Sequence, residues 1–221
     1  MALMELGLTL GLSESLKNET RALHAQAERS AFMHALLRGE MQRGAYCAML
    51  RNLHVIYAAL EPALARHAGD PRLSPIHISG LAREPALRSD LDTLHGPGWR
   101  TACAVQGGAV RYADRLHALD HSHPELLAAH SYVRYLGDLS GGQILARIVR
   151  DSLLLAPGVG TAFYEFGDAA ETARLKRVFR EGLEALPGDA ATVVALVQEA
   201  KLAFEMHRQL FDELASSELN R

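Results

Sequence analysis

The sequence predicts an all-α fold, a single domain built as a bundle of about eight helices. The first reason is composition: Ala and Leu make up 71 of the 221 residues, whereas Val and Ile make up only 15. Ala and Leu are good helix formers, and β-branched residues favour strands. The second reason is that apolar residues recur at three- and four-residue spacing along the chain. The third is that glycine and proline separate these stretches, where turns are expected.

The N-terminal half of the chain contains four predicted helices. The first runs from about Ser13 to Glu28, with a serine at its start, and a short second one covers about Phe32 to Leu37. A long third helix runs from about Ala45 to His67, where leucines follow one another at three- and four-residue spacing. The fourth is expected from Pro85 to Leu94, because the sequence Gly-Pro-Gly at 96–98 stops it.

A capping box predicts where the longest helix of the C-terminal half begins. After a helix from about Val105 to Leu119, Ser122 is followed three residues later by Glu125, and Pro124 lies in the first turn. In a capping box the serine side chain accepts a hydrogen bond from the third backbone amide, and proline is tolerated because its missing N–H is not needed there. We therefore expect a helix from Ser122 to about Leu155.

Two further helices complete the predicted bundle. Residues 157–160 contain proline and glycine and interrupt the chain, and a helix is expected from about Ala169 to Leu186. Gly188 and Asp189 are then expected to end that helix and to cap the last one, which runs to about Leu214.

Length, charge and cysteine usage restrict the functional class. We expect one domain over residues 1–221, with an N-terminal extension at about 1–12 and a tail at 216–221, because no linker or repeat divides the chain. The formal charge is −3 and no basic block is present, which argues against a nucleic-acid partner. Cys47 and Cys103 form no CxxC pair, so neither a zinc site nor a disulfide framework is indicated, and a cytoplasmic location is favoured.

The two ends of the chain carry no recognisable membrane or export signal. Residues 1–12 are apolar, but they lack Lys and Arg and include Glu5, which makes them a poor signal peptide. No run approaches the roughly 18 apolar residues of a membrane span, and residues 216–221 are too polar for a tail anchor. We therefore expect no membrane anchor.

Gly137, Gly141 and Gly142 fall inside the predicted helix that follows the capping box. Each glycine in a helix costs roughly 1 kcal/mol relative to alanine, which this chain uses freely elsewhere. Gly137 and Gly141 are four residues apart and share a helix face, where they would leave a groove for a flat molecule. A tight helix crossing would explain one pair of small residues equally well. Three glycines around an embedded Asp138 favour a ligand surface.

The same stretch reads LSGGQ over residues 139–143, which is also the signature of ABC-type ATPases. Such proteins need a phosphate-binding loop of the form G-x-x-x-x-G-K-[ST]. Residues 137–144 have the glycine spacing, but Gln143 and Ile144 stand where Lys and Ser or Thr are required. Because no other stretch fits and no strand-rich pattern surrounds this one, we discard the ATPase interpretation.

Two segments resemble biliverdin-producing heme oxygenases. One reads LKNETRALHAQAE over residues 16–28, and the other reads RYLGDLSGGQ over residues 134–143. The likeness covers most of the chain, from about Leu16 to Leu214, and the glycine segment is the more specific of the two. The resemblance implies an all-helical heme oxygenase fold of the soluble bacterial type, with heme b held between the first helix and the glycine-rich helix.

The resemblance assigns the iron ligand to the first helix. His24 is the implied axial ligand of the heme iron, a role that a neutral imidazole nitrogen commonly fills. Glu28 lies four residues further on the same helix face, from which it can orient the imidazole ring. Without the resemblance, His24 and Glu28 are equally well explained as a surface pair.

The resemblance assigns the catalytic groups to the glycine-rich helix. Gly137 and Gly141 are implied to leave room for O2 above the ring. Asp138 is implied to hold an ordered water that delivers protons, with support from Arg134 and Tyr57. An ordinary ion pair four residues apart would account for Arg134 and Asp138 as well.

Other residues match the heme contacts of the family. Heme carries two propionates, so cations are expected at one edge of its pocket. The propionate positions match Lys17, Lys176 and Arg180, with a hydroxyl from Tyr132, and this set favours cleavage at the α-meso carbon. The remaining implied contacts are Gly142, Phe204, Met33 and Phe163. Surface exposure or core packing would explain each of these residues taken singly.

The enzyme interpretation is cleavage of heme, with O2 and electrons, to biliverdin, CO and ferrous iron. One alternative is a transport or sensor protein of the same fold that binds heme without turnover, and Asp138 together with the glycines argues against it. Another alternative, a di-iron carboxylate bundle, would need Glu-x-x-His pairs, and the chain contains none. The sequence has no flavin or NAD(P)H motif, so a separate reductase or ferredoxin is the expected electron donor.

Overall fold

The computed structural model describes residues 11–219, which form nine helices joined by turns. These helices are α1 Leu12–Glu28, α2 Ala31–Leu37, α3 Arg43–Arg66, α4 Glu84–Leu94, α5 Trp99–Ala102, α6 Gly107–Ser122, α7 at residues 127–153, α8 Ala169–Glu184 and α9 Ala190–Glu218. This part of the chain contains no strand, so the predicted all-α fold is confirmed. Most of the predicted N-terminal extension lies outside the described residues.

Helices α3 and α9 form the centre of the bundle. Helix α3 packs against α4 and α6, and α9 packs against α1, α6 and the start of α7. Both central helices bury large apolar side chains completely, among them Leu50, Ile56, Leu60 and Leu210. Because burial of an apolar side chain contributes roughly 1.5–3 kcal/mol, this shared core fixes the positions of the outer helices.

Helix α1 packs against α9 and is also held by polar contacts. The carboxylate of Glu184 on α8 accepts hydrogen bonds from the backbone amides of Leu12 at 2.8 Å and Ser13 at 2.9 Å. A carboxylate in this position satisfies free amides and is favoured by the helix dipole. The ammonium of Lys201 on α9 also lies 2.6 Å from the Glu19 carboxylate. The predicted start at Ser13 is therefore correct to within one residue, although a side chain distant in sequence caps it.

The capping box predicted at Ser122 is wrong. Ser122 is the last residue of α6, and its hydroxyl donates to the carbonyl of Ala118 at 2.8 Å. The Glu125 carboxylate instead accepts a hydrogen bond from Arg72 at 2.8 Å. A 3-10 turn at Pro124–Leu126 follows, and α7 begins only at Leu127. The motif fails because both of its side chains have other partners.

Other helix ends agree with the prediction to within a few residues. Asp189 caps α9 as expected, since its carboxylate accepts from the Thr192 amide at 2.9 Å. Helix α9 continues to Glu218 and so includes part of the predicted tail, and the short helix α5 was not predicted. Within residues 11–219, no helix combines the length and apolar character needed to cross a membrane.

Candidate functional site

A cleft lies between α1 and α7. It consists of two adjoining cavities of about 310 and 340 Å³. Both cavities are lined by His24, Val133, Gly137, Ser140 and Phe204, so they form one continuous space. The two facing helices that the sequence singled out, the first helix and the glycine-rich helix, therefore supply opposite walls of one cleft.

Helix α7 changes its winding where it meets the cleft. Residues Tyr132–Leu136 form a π-helical stretch between the α-helical segments Leu127–Ser131 and Gly137–Leu153. The four residues 132–135 are all buried, with at most 9% exposure. Four successive residues of a helix point in different directions, so α7 has little exposed surface here even though it borders the cleft. Short π-helical stretches within α-helices are frequent at functional sites. No feature of the sequence indicated this one.

Gly137 and Gly141 present bare backbone to the cleft. A Cβ atom built on Gly137 would meet nothing within 4 Å, and one on Gly141 would meet only the Leu145 side chain at 3.9 Å. Protein packing therefore does not require glycine at either position. Gly142 differs, since its Cβ would lie 3.3 Å from the carbonyl oxygen of Tyr164. Gly142 is therefore explained by close packing against Tyr164, and it lines neither cavity. Gly137 and Gly141 are better explained by contact with a ligand.

His24 projects from α1 into the cleft and remains half exposed. Its side chain is 51% exposed, and its Nδ1 atom lies 3.6 Å from a carboxylate oxygen of Glu28. The imidazole meets the ring of Phe204 edge-on, with the ring centroids 5.9 Å apart. Because Glu28 lies on the Nδ1 side, Nε2 is the nitrogen left to bind a metal.

Asp138 lies behind the glycine wall in a buried polar cluster. Its carboxylate accepts hydrogen bonds from Arg134 at 2.7 Å and from the hydroxyl of Tyr57. Arg134 also donates from Nε to the Tyr57 hydroxyl at 3.3 Å. Asp138 itself lines the cleft, whereas the fully buried Tyr57 supports it from α3. The three residues predicted as a catalytic group are therefore in direct contact.

Burial controls the protonation of this cluster. Desolvation raises the pKa of Asp138, and the Arg134 charge and the Tyr57 hydroxyl offset part of that rise. Desolvation also raises the pKa of Tyr57 well above its usual value, so Tyr57 remains a hydrogen-bond donor. Burial is the largest single influence and opposes the charge on Arg134, but Asp138, Tyr57 and Tyr112 together outweigh it, so the pKa of Arg134 is raised. The result is a permanent cation beside a carboxylate with an enhanced affinity for protons.

Cationic side chains gather at one end of the cleft. Lys17 and Arg180 line the smaller cavity together with Tyr132, whose hydroxyl lies 3.4 Å from that of Thr20. Lys176, one turn before Arg180 on α8, lines neither cavity. Arg21 does line the smaller cavity, and sequence reasoning missed it. Its spacing of four residues from Lys17 was the signal that could have identified it.

The other end of the cleft is apolar. Its lining includes Met33, Leu36, Met49, Leu53 and Phe163. Phe163 lies on a 3-10 turn whose amides at 162 and 163 donate to the buried Asp90 carboxylate at 2.9 and 2.8 Å. Burial raises the pKa of Asp90 to about 6. A fixed apolar wall therefore faces the cationic end, which suits a flat apolar molecule with an anionic edge.

The donor set of the cleft also restricts the kind of metal that it can accept. Among residues 11–219, no group of three or more His, Cys, Asp or Glu side chains is arranged to hold a metal ion. A single imidazole such as His24 binds a free ion weakly, but it can supply an axial ligand to a metal that a macrocycle already holds. The cleft therefore fits an iron porphyrin.

Comparisons with known proteins agree with this chemistry. Residues 10–213 match the model of the protein family described as Heme oxygenase. The chain is 38% identical to heme oxygenase 1 of the cyanobacterium Synechocystis over 94% of this chain and 86% of that protein. It is also 38% identical to human heme oxygenase 1, over 92% of this chain and 71% of that protein.

Two solved structures resemble the structure of this chain over more than nine-tenths of its length. The crystal structure of the Synechocystis heme oxygenase-1 in complex with heme superposes with a TM-score of 0.90 at 37% identity, covering 96% of this chain and 95% of that one. Heme oxygenase from Leptospira interrogans superposes with a TM-score of 0.88 at 33% identity, covering 92% of this chain and all of that one. The similarity therefore includes every helix that borders the cleft.

Alanine substitutions at the three glycines should separate ligand contact from packing. We expect Gly137→Ala and Gly141→Ala to raise the free energy of unfolding of the ligand-free protein by up to about 1 kcal/mol each, because alanine favours the helix and meets no atom. We expect Gly142→Ala to lower it, because its Cβ would crowd Tyr164. Equilibrium unfolding in urea measures all three. If Gly137→Ala and Gly142→Ala lowered the free energy of unfolding equally, the conclusion that packing requires glycine only at position 142 would be contradicted.

Proposed function

This chain belongs to the heme oxygenase family, and we propose that the cleft between α1 and α7 binds heme and opens its ring to biliverdin, CO and ferrous iron. Bound heme is both substrate and cofactor, and its iron activates O2 with electrons from outside the protein. The observation that carries the proposal is the bare backbone of Gly137 and Gly141, which protein packing does not require. This surface shares the cleft with a half-exposed imidazole, that of His24.

His24 provides the axial nitrogen in this proposal. Its position in the cleft, with Glu28 on the Nδ1 side, supports coordination through Nε2. A carboxylate near the remote nitrogen of a ligand histidine fixes the ring orientation and raises the basicity of the ligand. The edge of Phe204 limits rotation of the same ring.

Asp138 organises proton delivery in this proposal. The carboxylate borders the cleft, but both of its oxygens are engaged by Arg134 and Tyr57. It therefore acts through a water that it orients rather than by direct contact. The glycines leave no side chain between that water and the porphyrin face. Because mere heme binding needs no buried carboxylate beside the cleft, this cluster favours turnover over transport or sensing.

The cationic end of the cleft sets the orientation of heme in its plane. Lys17, Arg21 and Arg180 line it, and Tyr132 adds a hydroxyl. Charge-assisted hydrogen bonds to propionates are the strongest polar contacts available to heme. One preferred orientation exposes one meso carbon to attack, and we propose the α isomer of biliverdin as the product.

The electrons come from a separate donor in this proposal, either a reductase or a ferredoxin. This inference rests on the absence of flavin and NAD(P)H motifs from the sequence. The cytoplasmic location favoured by the cysteine usage likewise stays a prediction.

Replacing His24 should remove the axial nitrogen without destroying the cleft. We expect His24→Ala to take up heme with the absorption spectrum of a protein that lacks an imidazole ligand, and added imidazole to restore the wild-type spectrum, because the side chain is half exposed and carries little of the core. The exposed His117 on α6 supplies the matched control, His117→Ala. An unchanged spectrum in His24→Ala would show that another residue binds the iron.

Replacing Asp138 should separate heme binding from heme cleavage. We expect Asp138→Ala to bind heme but to form biliverdin at least ~100-fold more slowly, since general acid–base groups contribute factors of this order. Asp151→Ala, at an exposed position of the same helix, is the control. The measurement is single-turnover absorbance with a chemical reductant. Wild-type turnover in Asp138→Ala would overturn the assigned role.

The structure distinguishes the two cations on α8. Arg180 lines the cleft and Lys176 does not, so we expect Arg180→Ala to weaken heme binding roughly tenfold, a loss typical of one hydrogen bond to a charged group. We also expect it to yield a mixture of biliverdin isomers, resolved by chromatography. Lys176→Ala should have a smaller effect on both. A larger effect at Lys176 would contradict this arrangement.

A further inference from the structure

The 3-10 turn at residues 162–164 lies between α4 and the glycine-rich part of α7. Two of its members, Phe163 and Tyr164, border the larger cavity, whereas no residue of α4 borders either cavity. The turn therefore connects the wall of the cleft to a helix that lies outside the cleft.

Asp90 is the central contact between α4 and this turn. Its side chain is buried, and each carboxylate oxygen accepts one backbone amide, Oδ1 that of Ala162 at 2.9 Å and Oδ2 that of Phe163 at 2.8 Å. A charged acceptor forms stronger hydrogen bonds than a neutral one. Two such bonds to adjacent amides fix both the place and the direction of the turn.

Neighbouring side chains hold the two ends of the same segment. Before the turn, the hydroxyl of Tyr46 donates to the carbonyl of Gly160 at 3.1 Å. After the turn, the guanidinium of Arg83 donates to the carbonyl of Glu165 at 2.7 Å. Because these contacts lie at the ends, Asp90 is the side chain that fixes the middle of the segment.

On its other side, the turn supports the backbone of α7 directly. A Cβ atom built on Gly142 would lie 3.3 Å from the carbonyl oxygen of Tyr164 and 3.4 Å from its side chain, so no spacer fits between the helix and the turn. The preceding residue, Gly141, borders the cleft. A shift of the turn relative to α7 would therefore move the wall that the glycines form.

We propose that Asp90 is a positioning residue that sets the separation of the two cleft walls by fixing the 162–164 turn between α4 and α7. Hydrogen bonds hold one side of the turn, and close packing at Gly142 transmits its place to α7 on the other side. The opposite wall, α1, is held separately by contacts to α8 and α9. The carboxylate thus acts on the cleft from outside it.

The consequence for catalysis rests on the proposed function. A flat substrate that is held by propionates at one edge can still shift between walls that are too far apart, and closely spaced walls remove that freedom. The choice of one meso carbon then depends on Asp90 as well as on the cations of the cleft.

Amide hydrogen exchange of the ligand-free protein tests the anchoring independently of turnover. Asparagine offers one acceptor and one donor where the two amides need two acceptors. We expect Asp90→Asn to accelerate exchange at residue 162 or 163 by roughly tenfold or more, the loss expected for one hydrogen bond to a charged group. The matched control is Asp92→Asn, because Asp92 accepts from Trp99 Nε1 at 2.7 Å and an amide oxygen can do the same. Unchanged exchange at both amides would overturn the anchoring.

A double-mutant cycle tests the transmission to α7. Asp90→Asn and Gly142→Ala act on opposite sides of the turn. We expect each to release heme faster than the wild-type protein does. We expect the double variant to fall short of the sum of the two effects on the logarithm of the release rate, because a turn that is free to move makes room for the added Cβ. Strict additivity would overturn the transmission.

The biliverdin isomers test the role in turnover. We expect Asp90→Asn to give a mixture of isomers, resolved by chromatography, whereas Asp92→Asn gives the wild-type product. Gly142→Ala should also give a mixture with Asp90 intact, so the test holds even if Asp90→Asn does not fold. A single isomer from either of these two variants would overturn the positioning role. A wild-type protein that forms no biliverdin would instead overturn the proposed function, while the exchange and heme-release results would stand.

Discussion

The buried ion pair between Arg134 and Asp138 is the interaction on which the site depends. It lies where α7 changes its winding, and its two side chains have partners on α3 and α9, namely Tyr57 and His207. Two buried charges are costly unless each is fully hydrogen-bonded, so a displacement of α3 or α9 would leave the pair without one of its hydrogen bonds. The pair therefore links the helix geometry of the bundle to the chemistry of the cleft.

The fold was predictable from the sequence because its causes are local. An excess of Ala and Leu, periodic apolar residues and clear turn signals predict the helices, and most predicted ends agree with the structure to within a few residues. The predictions of helix ends fail or are incomplete where a side chain distant in sequence forms the hydrogen bonds that a local cap was expected to form. Arg72 takes the carboxylate of the predicted capping box, and Glu184 caps α1 from another helix. Such contacts depend on tertiary structure, which local patterns do not encode.

The site was predictable for a different reason: its residues are concentrated in two short segments whose resemblance to a family is specific. Seven of the site residues predicted in these two segments line the cleft on opposite walls, namely Lys17, His24, Glu28, Arg134, Gly137, Asp138 and Gly141. The structure adds a physical reason for Gly137 and Gly141. Gly142 and Lys176 do not line it, although they are near neighbours of residues that do. Arg21 could have been found from its four-residue spacing to Lys17, whereas the place of His207 at the cleft and the π-helical stretch depend on tertiary structure, which no pattern of residue types reveals.

The attachment of α1 has a consequence for how a molecule as large as heme gains access. Only Ser15, Leu16 and Thr20 of its 17 residues are buried, and its polar contacts to α8 and α9 are exposed or partly buried. An element with few buried side chains opens locally at a far lower free-energy cost than global unfolding. The wall that carries His24 has far fewer buried side chains than the wall that carries Asp138. A displacement of α1 would open the cleft without separating Arg134 from Asp138, because both of these residues lie on α7.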